Sequence, residues 1–206
     1  MSETAPQSPR TSTPVTPSIA DPAPLGLAAF AMTTLVLSSY NAGFLHASTE
    51  AVVLPLALIY GGLAQLLAGM WEFRRGNTFG ATAFSSFGAF WLAYYVLVKD
   101  TLPGLTGSSA ANTGNAVGLF LLLWGVFTLY MTIAAVRVSL AVLAVFVALT
   151  ITFVVLAIGS FAANTDITKA GGWLGLITGV FAWYASFAGV AASTFGRPVV
   201  PTGPAE

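Results

Sequence analysis

Six stretches of this sequence, 24–44, 51–71, 81–98, 116–136, 139–162 and 170–195, are long, apolar and free of Asp, Glu, Lys and Arg. A helix needs about 20 apolar residues to cross the hydrocarbon core of a bilayer. Membrane β-strands would leave short alternating segments instead, and these runs are continuous. The expected fold is therefore an all-α membrane protein with six transmembrane helices. Composition agrees: 56% of the 206 residues are hydrophobic and 7% are charged, where a soluble domain carries about 25% charged residues. Such a chain cannot cover its surface with charge, so the lipid bilayer is its solvent.

The seven basic residues divide unevenly between the loops. Arg10, Arg74, Arg75, Arg137 and Arg197 fall on one side of a six-span chain, and Lys99 and Lys169 on the other. The positive-inside bias then puts both termini in the cytoplasm. Residues 1–20 are rich in Pro, Ser and Thr and lack an apolar core, so they read as a disordered cytoplasmic tail and not a cleaved signal. Residues 198–206 read as a second cytoplasmic tail. Residues 21–197 form one transmembrane domain. The chain has no cysteine and a single histidine, His46. No catalytic residue, cofactor site or metal site is expected, and a net charge of zero argues against a nucleic-acid partner.

The first span opens on Asp21, Pro22, Ala23, Pro24, Leu25 and Gly26. Pro24 suits a first helical turn because it lacks an N–H, and Pro22 keeps the preceding chain extended. Asp21 can cap the helix start, and places a negative charge at this mouth. Beyond it, Phe30, Thr34, Leu37 and Asn41 recur at helical spacing along one stripe, with Thr33 beside it. Gly61, Gln65, Gly69 and Glu72 make a similar stripe on the second span. Thr82, Ser85 and Ser86 accompany Phe84 and Phe87 on the third. These polar groups can solvate a carboxylate within an apolar path. The alternative is structural: Gln65 and Asn41 as links between helices, and Thr33 and Thr34 bonded to their own preceding carbonyls. Trp71, Trp91, Tyr94 and Tyr95 read as anchors at the membrane interfaces. Glu72 with Arg74 and Arg75 reads as an ion cluster at the membrane edge.

Taken together, Asp21-Pro-Ala-Pro-Leu-Gly-Leu27, Tyr60-Gly-Gly62 with Ala64-Gln65, and Glu72 with Gly76-Asn-Thr-Phe-Gly80 resemble the acetate uptake transporter family, the succinate–acetate permeases. Thr82-Ala-Phe84, Trp124-Gly-Val-Phe-Thr128, Leu156-Ala-Ile-Gly159 and Ala170-Gly-Gly-Trp173 continue the resemblance in order, as far as Pro198. Two positions depart from the family pattern: Asp21 and Ser160 stand where Asn is usual.

The resemblance implies a six-helix protomer, each with its own pore, commonly in a homo-hexameric ring. Its implied substrates are acetate and related short carboxylates, succinate among them, moved in a channel-like or proton-linked way. It also implies a pore constriction, carried onto Phe30, Phe87 and Leu149. Independently of the family, moving a bare carboxylate through an apolar constriction is costly, and no charged residue lies in the middle of a span. That combination favours a facilitative pore, taking either the neutral acid or an anion passed between hydroxyls and amides. A non-conducting membrane sensor or scaffold, and a pore for neutral solutes such as urea, are the alternatives.

Overall fold

A computed structural model describes residues 19–203, and every regular element in it is helical. Six helices are long and apolar enough to cross a membrane: α1 (Ala23–Asn41), α2 (Ala47–Arg75), α3 (Thr78–Gly104), α4 (Ala110–Ala135), α5 (Leu140–Phe161) and α6 (Thr165–Phe195). The protein is a multi-pass membrane protein. Most helices outrun the apolar stretches because their first turns are polar. Ser109, Ser139 and Asn164 cap α4, α5 and α6 by accepting backbone N–H bonds, satisfying donors that the helix itself leaves free. The first turns of α6 even carry Asp166 and Lys169, which pair at 3.6 Å. Between α2 and α3, Gly76 takes a left-handed φ of 82° and Asn77 accepts the Gly80 N–H. Those two requirements account for the Gly-Asn pair at this turn.

The helices pack in the order α4, α5, α6, α1, α2, α3, each antiparallel to its neighbour. Glycines set the closest approaches. A methyl group on Gly172 would collide with the backbone of Asn41 and Ala42, and one on Gly88 with the backbone of Leu66. Hydroxyls bridge the same seams. Ser186 donates to Pro24 O at 2.7 Å, Ser160 donates to Gly114 O at 2.8 Å, and Thr152 and Thr178 share a bond of 3.2 Å. The helices α3 and α4, which end this order, have little backbone proximity. Aromatic side chains fill the space instead. Phe79 and Phe87 meet Phe146 of α5, and Phe90 meets Phe153 of α5 and Trp124 of α4.

This arrangement puts Arg74, Arg75, Arg137 and Arg197 at one end of the bundle and Lys99 and Lys169 at the other. The two ends are called the arginine face and the lysine face below. Residues 19 and 203 are both on the arginine face. Residues 1–18 and 204–206, which belong to the two predicted tails and include Arg10, lie outside the described residues. The portion of the second tail that is described packs on the bundle. Thr202 O accepts the Ala141 N–H at 2.9 Å, and Pro201 O accepts the Tyr184 hydroxyl.

Besides the 3-10 turn Ala47–Val52 that opens α2, two segments among the described residues depart from α-helical geometry. Ile59–Ala64 in α2 and Leu97–Thr101 in α3 are π-helical. The first contains Gly61-Gly62, where no side chain resists the wider turn, and the second runs into Leu102-Pro103. Such segments rotate everything that follows them about the helix axis. The first thereby sets which way Gln65 and Glu72 face.

Candidate functional site

A cavity of about 310 Å³ lies among α1, α3, α4 and α5. Its lining begins at Phe30 on α1, Phe90 on α3 and Leu149 on α5, and runs toward the lysine face as far as Glu50, Leu102, Ser160 and Thr168. Each wall starts with an apolar residue, so the end nearer the arginine face is closed by side-chain packing. Phe30 and Leu149 are both 4% exposed, and Phe87 is 3% exposed. Phe87 sits one helical turn before Phe90. Its ring meets Phe30 at 5.7 Å and Phe127 at 5.4 Å. Of the three residues singled out for a constriction, Phe30 and Leu149 line the cavity, and Phe87 packs on Phe30 without lining it.

Above that floor the stripe on α1 forms one wall. Phe30, Thr34, Leu37 and Asn41 all line the cavity. Thr33, Thr152 and Thr178 spend their hydroxyls on the carbonyls four residues earlier. Thr34 does not: its Oγ1 is buried and has no hydrogen-bond partner. On the facing wall the indole Nε1 of Trp91 is likewise buried and unpartnered. Buried polar atoms are nearly always satisfied, so these two unpartnered atoms, each covered by its neighbours and each on a residue that lines the cavity, are the polar points closest to hand for a ligand there. The rest of the lining is dominated by Leu, Val and Phe. An apolar chamber with few polar points is the usual form of a small-molecule site.

Other residues expected along a path sit elsewhere. Thr33 packs against Gly61 of α2 and is fully buried. Gln65 is 1% exposed between helices, with its Oε1 unpartnered. Thr82 is half-buried on α3 away from the cavity. Ser86 faces a separate groove between α3 and α4 with Phe120, Leu123, Trp124 and Phe127. Ser85 packs on Gly69.

At the arginine face, Asp21 accepts the Ala23 N–H at 3.0 Å and pairs with Arg75. It caps the start of α1 as expected, but its charge has a cation beside it. Gly26 admits the ring of Phe84 and not a second backbone. Glu72 is fully buried and accepts from Asn77 Nδ2 at 2.9 Å. Arg75 is thus turned to Asp21, and the expected ion cluster around Glu72 is a carboxylate–amide pair next to an Asp–Arg pair.

Sequence reasoning missed most of the α3 wall. Trp91 was expected at the membrane interface and is instead 2% exposed inside the bundle. Tyr94 was expected there too, and lines the cavity while donating its hydroxyl to Glu50 Oε1 at 3.3 Å. Phe90 and Phe153 were not singled out. The spacing Phe87, Phe90, Trp91, Tyr94 was the available signal, since it marks one face of a helix. Ser160, one of the two departures from the family pattern, is on the cavity wall with its hydroxyl committed to Gly114 O.

Residues 4–203 match the model of the GPR1/FUN34/yaaH family. Over 185 residues the chain is 42% identical to the succinate-acetate/proton symporter SatP of Escherichia coli (strain K12), covering 90% of this chain and 96% of that one. It is 41% identical over 194 residues to acetate permease A of Emericella nidulans, covering 88% of this chain and 65% of that one. The solved structure of the bacterial acetate channel SatP matches with a TM-score of 0.83 and 41% identity, over 90% of this chain and 100% of that one. A family match spanning nearly the whole chain, with relatives 41–42% identical over most of its length, makes this protein a member of the GPR1/FUN34/yaaH family.

Proposed function

We propose that this protein is a plasma-membrane pore for acetate and related short carboxylates, succinate among them, with both termini in the cytoplasm. The observation that carries the reading is the apolar cavity, open toward the lysine face, whose lining residues Thr34 and Trp91 hold unpartnered polar atoms above the Phe30–Phe87–Leu149 level. A short carboxylic acid matches that chamber: its methyl or methylene end suits the aromatic lining, and its oxygens can accept from the indole N–H and the hydroxyl. The names of the relatives support the same substrate class. Phe30, Phe87 and Leu149 act as a hydrophobic constriction, which holds back flow by excluding water. Thr34 and Asn41 are the polar steps within the chamber. Thr33, Gln65, Thr82 and Ser86 act from behind the path, by fixing helix positions. Protomers associate as a homo-hexamer, each with its own pore, and proton linkage arises from passage of the neutral acid.

Flux of labelled acetate into proteoliposomes tests this reading. The expected result is uptake well above protein-free vesicles, slowed by excess succinate and not by urea. Acetate binding without any flux would favour a sensor, and competition by urea equal to that by succinate would favour a neutral-solute pore.

A further inference from the structure

The cavity has one charged group on its lining, and it is an acid. Glu50 lies in the 3-10 turn Ala47–Val52 at the start of α2, half-buried, where the chamber nears the lysine face. Among the described residues, no Lys or Arg lines the cavity. The cations of this face are turned elsewhere: Lys99 donates to the Tyr95 hydroxyl at 2.7 Å, and Lys169 pairs with Asp166. From α3, Tyr94 faces Glu50 and hydrogen-bonds it. From α1, Tyr40 is bonded to Thr49 next door, and within the same segment His46 is turned to Ser48. Glu50 is therefore held by one neutral partner, beside the route that a carboxylate would take.

We propose that Glu50 is a charge filter at the lysine-face mouth of the pathway, disfavouring the carboxylate anion and favouring entry of the uncharged acid. The proposal rests on the carboxylate-pore reading above and adds the form in which substrate enters. The physical case is direct. An anion passing this point meets a like charge, with no cation on the wall to offset it. Two like charges about 4 Å apart repel enough in water-like surroundings to change occupancy by about five-fold. The neutral acid escapes this penalty, and it also escapes most of the cost of entering an apolar chamber. Tyr94 fixes the Glu50 carboxylate on the cavity side, so the filter has a defined position.

The test compares wild type with Glu50→Gln, which keeps an oxygen for the Tyr94 hydroxyl, in proteoliposomes. Uptake of labelled acetate and of labelled acetamide, a neutral molecule of the same shape, is measured from pH 4.5 to 7.5. Glu50→Gln is expected to raise acetate uptake about three- to five-fold at pH 7.5 in low salt. The gain should shrink in high salt, which screens exposed charge, and toward pH 4.5, where a carboxylic acid becomes largely neutral. Acetamide uptake should stay unchanged, and Glu50→Asp should behave as wild type. Equal acetate uptake by wild type and Glu50→Gln at every pH overturns the filter. So does a parallel rise or fall of acetate and acetamide, which would mean that Glu50 shapes the mouth and does not filter charge. Wild-type acetate uptake no greater than that of protein-free vesicles overturns the pore reading itself, and the filter with it.

Discussion

A threonine hydroxyl in a membrane helix usually bonds back to the carbonyl four residues earlier, and here Thr33 and Thr34 divide on that point. Thr33 bonds Ala29 O at 2.9 Å, while Thr34 keeps a free oxygen on the cavity. Two adjacent residues point about 100° apart on a helix, so one faces the α2 seam and the other the chamber. Below Thr34, Phe30, Phe87 and Leu149 are the proposed constriction, and their size should set selectivity. Phe30→Ala, Phe87→Ala and Leu149→Ala are each expected to raise the permeability of bulkier carboxylates relative to acetate. Measuring propionate, butyrate and acetate flux in the same vesicles decides it. The readout must be restricted to protein that remains folded, because removing a buried Leu or Phe side chain costs about 2–5 kcal/mol. Unchanged size selectivity in three folded variants would remove these residues from the constriction. The α1 stripe was legible in sequence, because its period is that of a helix and its polar members stand out among apolar neighbours. Leu149 was legible only through family resemblance, since α5 is apolar all round. Trp91 and Glu50 were not legible in their roles. Tryptophan is enriched at membrane interfaces, which hid that Trp91 stands in the middle of its apolar run, and an acid in a short loop gives no sign that the loop folds over a cavity.

At the scale of elements, the runs of apolar residues located all six helices, and the errors lay at their ends. Capping residues and charged first turns let α6 begin at Thr165 and α4 at Ala110, several residues before hydropathy rises. The π-helical segments were invisible to a method that assumes a fixed period, although Gly61-Gly62 marked where one could form. Glycine spacing was more informative. Gly175 and Gly179 stand four residues apart on one face of α6, and they admit Ser38 and Leu35 of α1. Gly172 is the most demanding position on this seam, because backbone and not a movable side chain fills the space. Gly172→Ala is therefore expected to push the end of α1 away and to destabilise the protein by about 1–3 kcal/mol, the usual range for overpacking. Gly104→Ala is the control. Nothing lies within 4 Å of the methyl it would add, so its effect should stay within about 0.5 kcal/mol. Thermal unfolding of the two purified variants in detergent gives the comparison. Similar midpoints for both would show that the α1–α6 seam adjusts without loss.

At the scale of the whole molecule, two asymmetries run along the same axis. Arginines gather at one face and lysines at the other, and the chamber opens from the Phe30 level toward the lysine face. The sequence could assign the charges to alternating loops, because that needs only a count of spans. It could not supply the packing order, in which α1 lies between α6 and α2, because nothing local records which helices meet. Nor could it reveal that α3 reaches α4 and α5 through aromatic rings, which is how that side of the chamber is filled with so little backbone proximity between α3 and α4. The charge asymmetry makes orientation testable independently of transport. If the arginine face is cytoplasmic, the Glu50 mouth meets the outside medium, and the chamber fills from there first. The chain has no cysteine, so single cysteines report cleanly. Ser108→Cys lies in the exposed α3–α4 connection on the lysine face, and Val199→Cys in the exposed segment after α6 on the arginine face. A membrane-impermeant thiol reagent applied to intact cells should label Ser108→Cys and spare Val199→Cys until the cells are opened. The reverse pattern would invert the protein in the membrane. It would place the Phe30 level nearer the outside, and Glu50 would then screen carboxylates leaving the cell instead of those entering it.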